Sequence, residues 1–294
     1  MSRIAVLTPD PADPSYAGQW PGVLARLSEA LSVAGIEAVP SPWTDHGDDA
    51  SGLGGFPLIL PVIAWGYHRD HARWMRACAT WAAAGLPVAN PLSVLAWNSD
   101  KTYLARLADK GVPIPPTVWT QAVTADQIAA AFAQTGAGQL IVKPTVSGGA
   151  WRTLRLSPGQ ALTDPPAGPA MVQPYLPQIE TEGETSLLFF GGRFSHAVNK
   201  RPVDGDFRIQ VQFGGLYTPL AEPPPGALQT AERVLAAISE DLLYARIDMV
   251  PDGDGGWLLM EAELIEPDFY LAHDPRHGAG FARAVADRLS APRP

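Results

Sequence analysis

The sequence predicts an α/β protein of mixed α+β type, with a small N-terminal parallel sheet followed by two α+β lobes. Three observations carry this reading. The first ninety residues alternate short β-branched apolar runs with helix-length amphipathic stretches, the pattern of strands joined by crossovers. The last third sets apolar runs on either side of glycine turns, Gly191-Gly192 and the DGDGG run at 252–256, which predicts antiparallel hairpins. The chain is also too long, at 294 residues, for one core to organise comfortably. We expect three units, at residues 1–95, 96–175 and 176–294.

Taken in order, Arg3–Thr8 reads as a strand and Trp20–Val33 as a helix stopped by Gly35. Ile36–Val39 and Pro57–Ile63 supply the next strands, the polar Asp45–Gly55 stretch being a loop. His71–Ala84 is an Ala/Trp-rich helix ending at Gly85, and Leu86–Ala89 reads as a fourth strand. In the middle unit, Asp100–Lys110 is a helix closed by Gly111 and the PIPPT run, and Thr124–Gln134 is another. Gln139–Lys143, Trp151–Leu156 and Ala170–Tyr175 read as strands, with the proline-rich Ser157–Pro169 as a surface connection. In the last unit, Thr185–Phe190 pairs with Phe194–Lys200, and Tyr244–Val250 with Gly256–Leu264. Phe207–Phe213 is a further strand, and Ala227–Ser239 and His277–Leu289 are helices.

Composition excludes several classes of function. A net charge of −9 argues against a chain that coats nucleic acid, because such binding needs Lys and Arg to neutralise phosphates. A single cysteine, Cys78, excludes a disulfide framework or a Cys-rich zinc module, and its Ala-rich setting reads as a small core hydrophobe. No apolar run approaches the ~20 residues of a membrane span, and the RIAVLT opening lacks a signal-peptide pattern. A cytoplasmic protein with neither membrane nor nucleic-acid partners is expected.

The sharpest chemical signal is the hairpin formed by RIDMV (246–250) and LLMEAELIEP (258–267). Residues two apart on a strand share a face, so Glu261 and Glu263 point the same way, and Asp248 comes near them across the turn. Three carboxylates on an apolar hairpin repel one another. A hard cation such as Mg²⁺ would resolve the conflict; a solvated strand face is the alternative. Lys143 ends the QLIVK strand just before Ser147-Gly148-Gly149, where an ammonium and backbone N–H groups can hold a phosphate together. An ordinary β-turn accounts for that segment equally well, and neither a P-loop nor a dinucleotide fingerprint is present. Lys101, in WNSDKTYL, would by itself be a surface helix lysine. The Ala170–Glu184 segment offers backbone groups and a terminal carboxylate, or serves as a plain hinge.

The ordered set DK…GVPIPPT, VKP…SGG, Q-x-Y-L…GE and R-I-D…E-A-E resembles the ATP-grasp superfamily over residues 98–267. The resemblance implies an ATP-grasp fold whose last two lobes clasp ATP. It implies that Lys101 and Lys143 contact the phosphates and that Ser147, Gly148 and Gly149 close over them. Gln173, Tyr175 and Leu176 would lie beside adenine, Glu184 at ribose, and Met260 against the adenine ring. Asp248, Glu261 and Glu263 would hold Mg²⁺, although many members have Asn where Glu263 stands. SHAVNKRP (195–202) and GDFRIQVQFGG (205–215) look like the segment that brings positive charge to the γ-phosphate in amino-acid and peptide ligases, with Lys200 and Arg208 as carriers. Together with ELIEP, these motifs look most like the subgroup containing the cyclo-ligase of D-cycloserine biosynthesis, which closes O-ureido-serine. A homodimer is common among such relatives.

The chemistry implied is activation of a small amino-acid-like carboxylate as an acyl phosphate, then attack by nitrogen. Arg246 would stabilise the acyl oxyanion, or else pair with Glu261 or Glu263. A kinase acting on a small-molecule acceptor, an intermolecular amide ligase and a non-catalytic nucleotide binder are the competing readings. For the substrate side the sequence offers Tyr67, His68, His71 and Tyr270, and favours the Trp65–His68 patch beyond a strand of the first sheet. His71, three residues from His68, makes a His metal pair formally available.

Overall fold

The computed structural model describes residues 2–291; Met1 and residues 292–294, the extremes of the outer two expected units, lie outside the described residues. The chain opens with strand β1 (Ser2–Thr8), helix α1 (Trp20–Val33), β2 (Ile36–Pro42) and β3 (Ile59–Leu60). These make a three-stranded parallel sheet in the order β2-β1-β3. α2 (His71–Ala83) and α3 (Leu92–Asn98) follow, then α4 (Tyr103–Asp109), β4 (Val118–Thr120), α5 (Ala125–Thr135), β5 (Leu140–Pro144), β6 (Leu154–Leu156) and β7 (Ala170–Pro174). The last four strands form an antiparallel sheet in the order β4-β7-β5-β6. The remainder comprises α6 (Gln178–Thr181), β8 (Glu184–Phe190), β9 (Arg193–Arg201), β10 (Leu216–Leu220), α7 (Ala227–Ala237), β11 (Tyr244–Pro251), β12 (Trp257–Glu263) and α8 (Ala279–Ser290). Its five strands form an antiparallel sheet, β10-β9-β8-β11-β12.

Several expectations need correction. The third strand shrinks to two residues, and Leu86–Ala89 contributes a lone bridge from Val88 to Ile59. Pro57, Pro61 and Pro87 explain this, since each removes a backbone donor from a run that is otherwise apolar. The expected Trp151–Leu156 strand starts only at Leu154, because Ala150 and Arg152 adopt positive φ of 61° and 54°. Phe207–Phe213 is not a strand. Asp206 accepts from the N–H groups of Phe207 and Arg208 and curls the segment into a loop. The edge strand there is β10, which the sequence reading missed along with α3 and β4. Helix α4 starts at Tyr103 rather than Asp100, because the Asp100 carboxylate accepts from the Thr102 N–H and makes a turn.

The five-stranded sheet is the centre of the molecule, and alternation along its strands separates core from cleft. Ala245, Ile247 and Met249 of β11, with Leu259 and Ala262 of β12, pack against α4 and α7. Arg246 and Asp248 point to the opposite face. At the lower end of that face Phe190, Tyr244 and Phe269 join α1 and α8 in a core shared with the first sheet. The edge of β12 is fastened without another strand. Asn98 donates to the Ala262 carbonyl (2.8 Å) and accepts from the Leu264 N–H (3.0 Å), while the Tyr103 hydroxyl accepts from the Ala262 N–H (2.8 Å). Buried Asn90 ties that same end of β12 to the start of β11, donating to the carbonyls of Tyr244 and Leu264 at 2.9 Å and accepting from the Leu243 N–H at 2.7 Å.

Candidate active site

Strand register writes the charged face of the central sheet as rows of facing residues. One row runs Tyr217–Lys200–Glu184 across β10, β9 and β8. A second runs Ser186–Asp248–Glu261 across β8, β11 and β12, and a third Leu188–Arg246–Glu263. Directly opposed side chains lie on one face, so neighbouring rows interlock by hydrogen bonds. Lys200 donates to Glu184 (2.6 Å) and to Asp248 (3.1 Å). Arg246 donates to Asp248 at 2.9 Å and to Glu263, and Ser186 donates to Asp248 at 2.6 Å. Lys101 reaches Glu261 at 2.5 Å and the Ser147 carbonyl at 3.0 Å.

A bulge adds one residue to this surface. Asp248 faces Glu261 and Met249 faces Leu259, so Met260 is left without a partner. Strict alternation would turn Met260 and Glu261 to opposite faces; the bulge lets both line the cleft. The second sheet supplies the opposite wall, where Lys143 and Ile141 of β5 face Met171 and Gln173 of β7. Gln173 donates to the Thr117 hydroxyl at 3.0 Å, which fixes its amide. Tyr175 and Leu176 close one end of the cleft, and Gly148, Gly149 and the Arg208 loop close the other. The cleft encloses about 1150 Å³, mouth included.

Electrostatics is nearly balanced. Lys101, Lys143, Lys200 and Arg246 face Glu184, Asp248, Glu261 and Glu263. Burial lowers the Lys143 ammonium, with Lys101 adding to the effect, and no described residue pairs with it. Lys200 stays well above its ordinary value despite burial, because Asp248 and Glu184 hold its proton. Asp248 is likewise held low despite burial, by Arg246 and Lys200. Glu263 and Glu184 move the other way: burial, reinforced by neighbouring carboxylates, outweighs their cationic partners.

A second chamber of about 1040 Å³ adjoins the first. The two share Ser147, Gly148, Gly149, Gln210, Tyr217, Arg246, Glu261, Glu263 and Tyr270. Trp65, Tyr67 and His68 line the second; the site residues named from the sequence fall on one chamber or the other, except His71, which lines neither. His68 is buried; its ring lies 3.1 Å from where a Cβ on Gly148 would stand and 5.7 Å from the Trp151 ring centre. Burial, with Arg69 and Lys101 nearby, pulls its imidazole down to about 4, so it is neutral. His71 hydrogen-bonds Ser99 (2.8 Å) and joins no metal pair. Cys78 is a buried core residue, and that burial pushes its thiol up to about 12.

Three assignments change in weight. The repulsion expected among the hairpin carboxylates is already relieved by Arg246, Lys101 and Lys200, and among the described residues no three acidic, His or Cys side chains converge as a ready metal cage. Asp248 is occupied from three sides, whereas Glu261 and Glu263 keep side chains about a third and a quarter exposed in the cleft. Those two carboxylates are hard oxygen donors on one face, and Mg²⁺ commonly takes only one or two, so the donor set fits that ion without Asp248. Arg246 pairs with Glu263 as one reading held, and with Asp248 as neither did. Arg208 is held by Asp206 at 2.8 Å and stacks on Phe213. Sequence reasoning missed Tyr217, Gln210 and Glu266. Tyr217 had a signal in the apolar LYTPL run after Gly214-Gly215, and Glu266 one in its place three residues beyond Glu263.

A nucleotide-sized cleft between two antiparallel sheets, walled by paired lysines, a glycine loop and carboxylates on a C-terminal hairpin, is the ATP-grasp arrangement, and the chain has the ATP-grasp fold. It superposes on the crystal structure of D-cycloserine synthetase DcsG with a TM-score of 0.80, at 24% identity, over 98% of this chain and 100% of that one. A RimK domain ATP-grasp protein from Sphaerobacter thermophilus gives 0.67 at 17% identity, covering 99% of this chain and 100% of that one. In sequence the chain is 28% identical to the cycloserine biosynthesis protein DcsG of Streptomyces lavendulae over 286 residues, 90% of this chain and 92% of the relative. It is also 28% identical to the glutathione synthetase of Prochlorococcus marinus over 284 residues, 92% and 86% respectively. No family model matches the chain. The resemblance to ATP-grasp carboxylate–amine ligases, the cycloserine subgroup among them, thus extends over nearly the whole chain. No helix in the described residues is long and apolar enough to cross a membrane.

Proposed function

We propose that this protein is an ATP- and Mg²⁺-dependent carbon–nitrogen ligase, which activates a small amino-acid-like carboxylate as an acyl phosphate for attack by a nitrogen nucleophile. The observation that carries this reading is the common wall of the two chambers. Arg246, Glu261, Glu263 and the Ser147–Gly149 loop face both, so a nucleotide in the first would present its terminal phosphate where a substrate in the second can reach it. Lys143, which has no carboxylate partner among the described residues, supplies charge for phosphate on one side, with Lys101 beside it. Arg246 lies at the junction, where a guanidinium can stabilise developing negative charge on an acyl oxygen. Glu261 and Glu263 would hold Mg²⁺, which when bound neutralises phosphate charge. Gln173, Tyr175, Leu176 and Met260 form the adenine end and Glu184 the ribose side; Lys200 and Arg208 complete the basic lining.

Within this class the similarity to DcsG, a cycloserine biosynthesis protein, supports a cyclo-ligase, and O-ureido-serine is the substrate to test. Incubation with ATP, Mg²⁺ and O-ureido-serine should yield ADP, phosphate and an acyl phosphate trapped by hydroxylamine. A stable phosphorylated product would establish a kinase instead, and a dimeric product an intermolecular ligase.

A further inference from the structure

Counting the donors of Arg246 isolates one of them. A guanidinium carries five N–H groups. Nε donates to Asp248 at 3.1 Å, and the two on Nη2 go to Asp248 at 2.9 Å and to Glu263. One on Nη1 goes to the Asp268 carbonyl at 3.2 Å. The fifth, also on Nη1, meets no acceptor among the described residues, and Arg246 lines both chambers.

A strained turn holds the nitrogen that carries this last donor. Tyr270 has φ 50° and ψ 39°, in the left-handed region that is costly for a bulky side chain. Both of its backbone groups are tied there. The Asp268 carboxylate accepts from the Tyr270 N–H at 2.8 Å, and the Tyr270 carbonyl accepts from the His273 N–H at 2.8 Å. The turn meets Arg246 twice, through the Asp268 carbonyl and through the Tyr270 ring, whose centre lies 5.0 Å from the guanidinium carbon. The ring is buried and braced edge-on by Tyr217, with ring centres 5.2 Å apart. Strain that persists because surrounding contacts enforce it is characteristic of functional positions, and the group this strain secures is the guanidinium.

We propose that Tyr270 is a positioning residue for Arg246: the 268–270 turn fixes the guanidinium plane so that its one unengaged N–H is presented to the acyl oxygen at the junction of the chambers. This rests on the ligase reading for the identity of that oxygen. It gives Tyr270 a different task from the substrate contact suggested by the sequence, because the face of the ring acts and the hydroxyl does not.

The hold on Arg246 is measurable without turnover. In the isotope-labelled full chain, the Arg246 side-chain N–H signals, identified by their loss in Arg246→Lys, should shift when Tyr270→Leu removes the ring current and stay in place in Tyr270→Phe. Unmoved signals in Tyr270→Leu would overturn the proposal. In turnover with ATP, Mg²⁺ and O-ureido-serine, Tyr270→Leu should lower kcat roughly five- to thirtyfold, the range of a desolvated cation–π contact, with KM for ATP changed less than about twofold. Tyr270→Phe should keep kcat within about twofold. In the Arg246→Lys background Tyr270→Leu should cost less than about twofold more, because the planar group that the ring orients is already gone. An undiminished kcat in Tyr270→Leu, an equal loss in Tyr270→Phe, or the full Tyr270→Leu loss in the Arg246→Lys background would each overturn the proposal. If Tyr270→Leu does not fold, Asp268→Ala, which frees the turn and leaves the ring, takes its place with the same expected fall in kcat and the same refutation. No ADP release from any acid by the unsubstituted chain, while the Arg246 signals still respond to Tyr270→Leu, would sink the ligase reading and keep the ring's hold on Arg246.

Discussion

Replacing Lys200 by Met tests the charged lattice at its most constrained point. The ammonium is 3% exposed and bridges Glu184, itself 11% exposed, and Asp248. Asp248 would keep Arg246 and Ser186, but Glu184 would keep no hydrogen-bond donor among the described residues. Breaking a buried pair by removing one member costs about 3–5 kcal/mol, mostly the desolvation of the carboxylate left behind. For a chain of this size that is a fall in melting temperature of roughly 10 °C. The loss has a pH signature. Glu184 already sits above its ordinary value because of burial, and without Lys200 it rises further. The folded variant then keeps a proton that the unfolded chain has released, so its stability falls as pH rises above the ordinary Glu range. Urea unfolding at pH 5 and pH 8 should show a smaller deficit at the lower pH, and adding Glu184→Gln should recover most of it. A deficit below about 1 kcal/mol, or no rescue by Glu184→Gln, would refute the charged lattice as a source of stability.

Three further outcomes are expected. An imidazole held at about 4 rather than 6.5 makes His68 resist protonation by about 3 kcal/mol. That stability is complete above pH 6.5 and lost as pH falls toward 4, and urea midpoints should show it, with His68→Leu flattening the slope. Glu261→Gln should abolish Mg²⁺-dependent ADP formation while circular dichroism and melting stay near those of the unsubstituted chain; unchanged turnover would refute the metal assignment. Asn90→Ala leaves buried backbone groups of Leu243, Tyr244 and Leu264 without partners and should cost about 4 kcal/mol in chemical unfolding, a loss under 1 kcal/mol contradicting the clamp.

Much of this protein was legible locally. Helix α1 lies at Trp20–Val33 as its spacing predicts, and the two glycine hairpins form where expected, because periodicity and turn chemistry act over a few residues. The pairing of Glu261 with Glu263 on one face follows from alternation alone. Tertiary structure decided the rest. Lys101 reads as a surface lysine until Asn98 and Tyr103 fasten its segment to the edge of β12 and turn its ammonium onto Glu261. Met260 joins Glu261 only because a bulge breaks the two-residue period. The carboxylates that seemed to need a metal find Lys200 and Arg246 through the register of five strands, and register depends on residues far apart in the chain. Sequence alone determined which groups are present and which neighbours share a face; the long-range pairing of strands decided which charges meet, because an ion pair needs contact and contact across a sheet is not written in local order.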